Sequence, residues 1–307
     1  MASVLSAPHF HNEEAAYAYV EARLWPTGPV CPHCGASGEK IGRLNGKSTR
    51  VGVRKCYACR KPFTVKIGTI FESSHVKLHV WLQAMQLMAS SKKGVSTNQL
   101  SRILGVTLQT AWFMGHRIRL AMAPAPGSSG PIGGEGKTVG ADETYLAKSP
   151  KTRKPVGHVP HARNEAVVLS LVERGGNIRS LYLDDKNVRK ALDKHLDRDS
   201  RLVTDKAQHY KNVVWAGNHE AVDHSKFEWS RGDVHTNTLE GFFSIFKRGL
   251  VGVYQHMDEK HLDRYLAEFD FRQNTRAKLG INDTMRADII LQGVKGKRLT
   301  YQTSDRA

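Results

Sequence analysis

The sequence predicts an α/β domain with a mixed sheet and covering helices, preceded by a small four-cysteine ribbon and a pair of short helices. Three observations carry this. All four cysteines sit in two Cys-x-x-Cys pairs near the front, a Pro/Gly/Ser-rich break spans 123–136, and the chain then runs strand, strand, strand, helix, strand, helix. At 307 residues, 40% hydrophobic and 24% charged, the chain has room for two or three cores and is neither disordered nor collagen-like. The expected boundaries are 1–74 for an N-terminal helix and ribbon, 75–122 for the helical pair, 123–136 for a linker and 137–307 for the α/β domain.

In the ribbon, Cys31 and Cys34 are followed after 21 residues by Cys56 and Cys59. Each two-residue gap lets a tight turn aim both thiolates at one ion, and two such turns complete a tetrahedral zinc site with no open position. The zinc is therefore structural. Arg54, Lys55 and Arg60 lie around the cysteines among Val51, Val53 and Phe63, an alternation that suits short strands with a basic face.

Next, Leu78, Trp81, Leu82, Met85, Met88 and Ala89 recur at helical spacing, which predicts a helix over 76–90. Leu100, Ile103 and Leu104 mark a short helix, Gly105 permits a sharp turn, and Thr107 caps a second helix carrying Gln109, Thr110, Arg117 and Arg119. This pattern is similar to helix-turn-helix domains, in which the second helix enters the major groove of DNA.

Charge agrees with a nucleic-acid partner. The chain holds 46 Lys+Arg against 29 Asp+Glu, a net of +17. Residues 1–130 hold 16 basic and 5 acidic side chains, so most of the excess lies in the front. No apolar run approaches the roughly 20 residues a membrane helix needs. The early Glu13 and Glu14 do not fit a secretory leader, and the expected location is the cytoplasm, on the nucleoid when bound to DNA.

The α/β region holds acids where apolar strand residues belong. Residues 137–146 read as a strand with Asp142 and Glu143 in its middle, 166–172 and 178–183 as further strands, and 186–197 as a helix. Residues 201–205 form a short strand ending on Asp205. A buried carboxylate needs a cation, a metal or a proton. A third acid follows from helix geometry. Leu239, Phe242, Phe243 and Phe246 form one stripe, while Asn237, Glu240, Ser244 and Lys247 form another. Three converging carboxylates can hold two divalent cations, and oxygen ligands with phosphate chemistry favour Mg2+, with Mn2+ as substitute. Strand alternation sends Asp142 and Glu143 to opposite faces, and patterning leaves open which of them serves.

The block from His235 to Arg248, with Gly252-Val-Tyr254 and Lys260 to Asn274, resembles bacterial insertion-sequence transposases of the ISXO2-like group. Those proteins pair an N-terminal zinc ribbon with an RNase H-like DDE domain. Asp142-Glu143-Thr144-Tyr145 and Thr204-Asp205 resemble the group's first two acidic motifs, and the similarity covers about residues 15–303. The resemblance implies an RNase H-like fold and a metal-binding catalytic triad of Asp142, Asp205 and Glu240, settling Asp142 over Glu143. It further implies a DNA contact near the scissile phosphate at Lys247, and accessory roles for Asn237 and His235. The basic loop with Lys151, Arg153 and Lys154 is expected to face DNA, as is Arg248.

The implied activity is DNA transposition. The ribbon and helical pair bind the element's terminal inverted repeats, and the acid domain cuts the ends and joins the freed 3′-OH to target DNA. A homodimer or higher oligomer would hold two ends together. A non-catalytic DNA-binding regulator and a metal-dependent nuclease without joining are the alternatives.

Overall fold

The computed structural model describes residues 3–125, 127, 130–147, 165–207, 210, 218–255 and 257–300. The chain divides into two compact units. One comprises 1–123 together with the segment from 277 onward, and the other comprises 124–276. The α/β domain is expected over 137–307; the last described residues of that span, 277–300, lie in the first unit.

In the first unit, helix α1 (Glu13–Leu24) is capped by Asn12, whose side chain accepts from the Ala15 amide at 2.9 Å. Strands β1 (Ile41–Arg43), β2 (Arg54–Cys56) and β3 (Pro62–Phe63) form a three-stranded antiparallel ribbon. Helix α2 (Leu78–Ser90) follows the predicted apolar spacing and buries Leu78, Trp81, Leu82, Met85, Met88 and Ala89. Its N-cap side chain makes no cap bond. Instead Glu13 of α1 accepts from the Leu78 and His79 amides at 2.8 and 3.2 Å. A carboxylate there satisfies orphan N–H groups and complements the helix dipole.

Helices α3 (Thr97–Leu104) and α4 (Leu108–Met122) are capped by Ser96 and Thr107, with Gly105 between them at φ 64°. That left-handed turn is open to glycine at little cost. The unit is closed by α8 (Asp283–Gln292), which packs against α1, α2 and α4. The residue after it explains how closely: a Cβ on Gly293 would lie 2.2 Å from the Ala121 carbonyl oxygen. Asp288 of α8 also pairs with Arg23 and accepts from the Tyr19 hydroxyl of α1.

The second unit is a five-stranded mixed sheet in the order β6-β5-β4-β7-β8. Strands β4 (Thr138–Ala147), β5 (Glu165–Glu173) and β6 (Ile178–Leu183) run antiparallel, while β7 (Arg201–Asp205) and β8 (His219–Val222) run parallel to β4. The predicted element order holds, with β8 added. Four residues reading His-Glu-Ala-Val carry no apolar alternation that would mark a strand.

Helix α5 (Val188–His195) covers one face, where Val139, Ala141, Leu169, Leu171, Leu192 and Leu202 form a buried cluster. Helices α6 (Asn237–Gly249) and α7 (Leu262–Asn274) cover the other, with Val168, Val172 and Ile178 against Leu239, Phe242, Phe246, Leu266 and Phe269. Edge strand β6 is capped by α7: Asp270 accepts from the Ser180 amide and Asn274 from the Ile178 amide. These side chains take the bonds that a neighbouring strand would otherwise supply. Among the described residues no helix is long and apolar enough to cross a membrane.

Candidate active site

The four cysteines form one cluster. Their sulfurs all lie within 4.8 Å of one another, with Cys31 to Cys59 at 3.7 Å and Cys34 to Cys56 at 3.6 Å. A disulfide would need about 2.05 Å. A tetrahedron with Zn–S bonds of about 2.3 Å has edges of about 3.8 Å, so the sulfurs are spaced for zinc. The set is closed, with Phe63 and Trp25 packed beside it, which fits a structural ion.

The acids are brought together by sheet register. Strand β4 pairs with β7 as Thr138 with Arg201, Val139 with Leu202 and Gly140 with Val203, a constant offset of 63 positions. Continuing that offset sets Asp142, in the middle of β4, beside Asp205 at the end of the parallel strand β7. Asp142 lies opposite Ser170, and the neighbouring Val168 and Val172 on β5 belong to the cluster under α6. Asp142 therefore faces α6. Glu143 faces the other side, where its carboxylate accepts from the buried Tyr210 hydroxyl at 2.7 Å. Alternation, which left two candidates open in the sequence, separates them here.

Glu240 reaches the same face from α6. Leu239 of that helix would touch a Cβ placed on Gly140 at 3.7 Å, so the helix is seated two residues from Asp142. The apolar stripe of α6 is buried as predicted, and Asn237, Glu240, Ser244 and Lys247 are exposed along the other stripe. Burial pushes the Asp142 carboxyl up to about 7, and the negative charges of Glu143, Asp205 and Glu240 push the same way. An acid held up by neighbouring acids is what a divalent cation would relieve. The carboxylates are not drawn as tightly as the sulfurs: among the described residues, the cysteines form the one set of three or more potential metal ligands that close.

Partners that the sequence did not reveal orient this face. Thr236, buried at the start of α6, donates to Glu240 Oε1 at 3.0 Å. His224 Nε2 lies 3.5 Å from the same oxygen, and Asp205 accepts from the Ala207 amide at 3.0 Å. Arg174 sits 3.2 Å from both ring nitrogens of His235 and donates to its carbonyl. His235 is thus engaged by an arginine rather than by the acids. Burial and that cation hold its pKa below the ordinary histidine value.

Several expected DNA contacts take other roles. Arg117 is buried, donates to the carbonyls of Ile70, Glu72 and Leu299, and lies over the Phe113 ring. Arg119 is buried as well. Neither side chain faces solvent, because the later turns of α4 are covered within the unit that α8 completes. Arg54 is held by Glu21 at 2.6 Å, and Lys55 and Thr110 are half-buried. Arg60, Gln109, Lys247 and Arg248 are exposed, with Arg248 donating to the Ser244 carbonyl. Lys151, Arg153 and Lys154 lie outside the described residues.

Comparison with known proteins follows the same division. Residues 133–274 match the ISXO2-like transposase domain and residues 11–62 match the transposase zinc-ribbon domain. Over 290 residues the chain is 27% identical to an uncharacterized protein in transposable element ISH50 of Halobacterium salinarum, spanning 88% of this chain and 94% of that protein.

Proposed function

We propose that this chain, with its ISXO2-like transposase domain and transposase zinc-ribbon domain, is a DNA transposase that cuts the ends of its element and joins them to target DNA. The observation that carries the reading is the register of β4 on β7, which sets Asp142 beside Asp205 on the face that receives Glu240. These three acids would hold Mg2+, two ions or Mn2+ in their place. The bound ions would supply activation of the attacking oxygen and charge neutralisation at the leaving one.

The chain's own residues supply the rest. Thr236 fixes one Glu240 oxygen by donating to it. Lys247, two turns further along the exposed stripe of α6, offers a cation to a phosphate beside the acids. The water or 3′-OH and the scissile phosphate must share this one face, so hydrolysis and joining use the same groups in sequence. In the first unit, Gln109 at the exposed start of α4, with Arg60 on the ribbon, would read or grip the terminal repeats. Two ends must be held at once, which calls for at least a dimer on DNA.

Purified chain, labelled element ends, target plasmid and Mg2+ test the reading. Cleavage and joining by the wild type, both lost in Asp205→Ala with DNA binding retained, are the expected result. Binding without cleavage, unchanged in Asp205→Ala, would leave a regulator. Cleavage without joining would leave a nuclease.

A further inference from the structure

Between β8 and α6 the fold leaves two large aromatic side chains in solvent. Phe227 is 83% exposed and Trp229 57%. Phe227 also holds φ at 59°, a left-handed conformation unfavourable for a residue with a bulky side chain. Isolated apolar residues on a surface are ordinary, but this pair sits on a turn that is tied down and close to the acids.

The turn is fixed by Asp223 and Glu228. The buried Asp223 accepts from the Ser225 amide and hydroxyl at 3.2 and 2.5 Å and from Lys206 at 3.0 Å. Glu228 accepts from the Asp223 amide at 3.1 Å and donates its own amide to the Asp223 carbonyl at 3.2 Å. Behind Trp229 stands His224. Its ring lies 5.0 Å from that of Trp229, tilted by 35°, while its Nε2 approaches Glu240 at 3.5 Å and the Thr236 hydroxyl at 3.4 Å. One imidazole therefore links an exposed indole to a carboxylate of the candidate triad. Lys226 is exposed between His224 and Phe227, placing a cation beside the same surface.

Fixed aromatic faces beside cations take nucleobases by stacking, with little dependence on base identity. A base becomes available for this only where the duplex is opened. We infer that Trp229 and Phe227 form a stacking platform for an unpaired base of the DNA end held at the acids. The inference rests on the transposase reading above. It assigns the turn a positioning role: stacking would hold the opened end so that its phosphate lies against Glu240 and its neighbours.

The test uses the full chain loaded with zinc and two duplexes of identical sequence, one fully paired and one ending in a short run of unpaired thymidines. Fluorescence anisotropy should give about tenfold tighter binding to the open-ended duplex. Trp229→Ala should abolish that preference while leaving affinity for the paired duplex unchanged. Trp229→Phe should retain most of it, and Phe227→Ala should lose part. A full preference surviving in Trp229→Ala overturns the platform, as does equal binding of both duplexes by the wild type. Loss of self-association in Trp229→Ala with the preference intact also overturns it, since the aromatics then serve a second copy of the chain. Mg2+-dependent cleavage on the same preparations separates the two levels. Cleavage that survives Asp205→Ala removes the transposase reading, whereas Asp205-dependent cleavage with no end preference removes the platform alone.

Discussion

The cysteine cluster and the acid cluster are built by opposite means. Each cysteine pair is local, two residues apart on a tight turn, and the four sulfurs stand at zinc spacing within 4.8 Å. The acids come from two strands and a helix separated by 63 and 35 positions, and are brought to one sheet face by strand register and the seating of α6 on Gly140. Thiolates in a closed set hold the ribbon together. On the other face, burial and then the charges of the neighbouring carboxylates raise Asp142 to about 7. On the proposed reading, one cluster stabilises its fold when loaded, and the other serves chemistry at the expense of electrostatic comfort.

Perturbing the two clusters should therefore give opposite phenotypes. The largest effect is expected at the acids: Asp205→Ala should reduce cleavage of element ends by at least about 10³-fold, a loss typical of removing charge stabilisation at a reacting centre. Its thermal melt should stay within a few degrees of wild type. Cys56→Ala should do the reverse to the ribbon. Structural zinc contributes on the order of 10 kcal/mol to small domains, so zinc content and binding of the terminal repeats should fall together while the second unit still melts cooperatively. A Cys56→Ala chain that keeps full zinc and full repeat binding would contradict the comparison.

Packing that supports each cluster comes next. Phe246→Ala removes a fully buried ring from beneath α6 and should cost about 3–5 kcal/mol, read by urea denaturation of the second unit. Arg117→Ala leaves the carbonyls of Ile70, Glu72 and Leu299 without their guanidinium donor. A cost of about 3 kcal/mol is expected, with no change in the salt dependence of DNA binding per folded molecule.

The smallest effect concerns pH. Burial pushes the Asp270 carboxyl up to about 7 although Ser180 donates to it from its amide and hydroxyl. Because the folded value is raised, the stability linked to this group is fully present below the unfolded value of about 4 and is lost as pH rises through about 7. Asp270→Asn cannot ionise, yet can accept from the amide and donate to the hydroxyl. It should flatten that part of the profile and raise Tm above pH 7 by roughly 2–4 °C.

Legibility in the sequence follows the same contrast between local and distant. The zinc spacing, the two stripes of α6 and the cap at Thr107 are short-range features, and each has its structural counterpart. Pairing at a distance was hidden. Nothing near Arg117 or Arg119 announces that a helix from 283–292 returns to complete their unit, so basic residues on a helix read as DNA contacts. Thr236 and His224 flank Glu240 through tertiary placement, and Tyr210 engages Glu143 across 67 positions. Their residue types alone carry no such signal. Which sheet face Asp142 and Glu143 each take is read from the neighbouring strands and not from a single strand.

The central claim is that Asp142, Asp205 and Glu240 together hold the divalent cation used on DNA. Mn2+ titration followed by electron paramagnetic resonance, with the ribbon already loaded with zinc, tests it directly. Wild-type chain should bind Mn2+ and release protons as it does so, and Asp142→Asn, Asp205→Ala and Glu240→Gln should each weaken that binding by at least about tenfold. Equal Mn2+ binding by all four proteins would contradict the account.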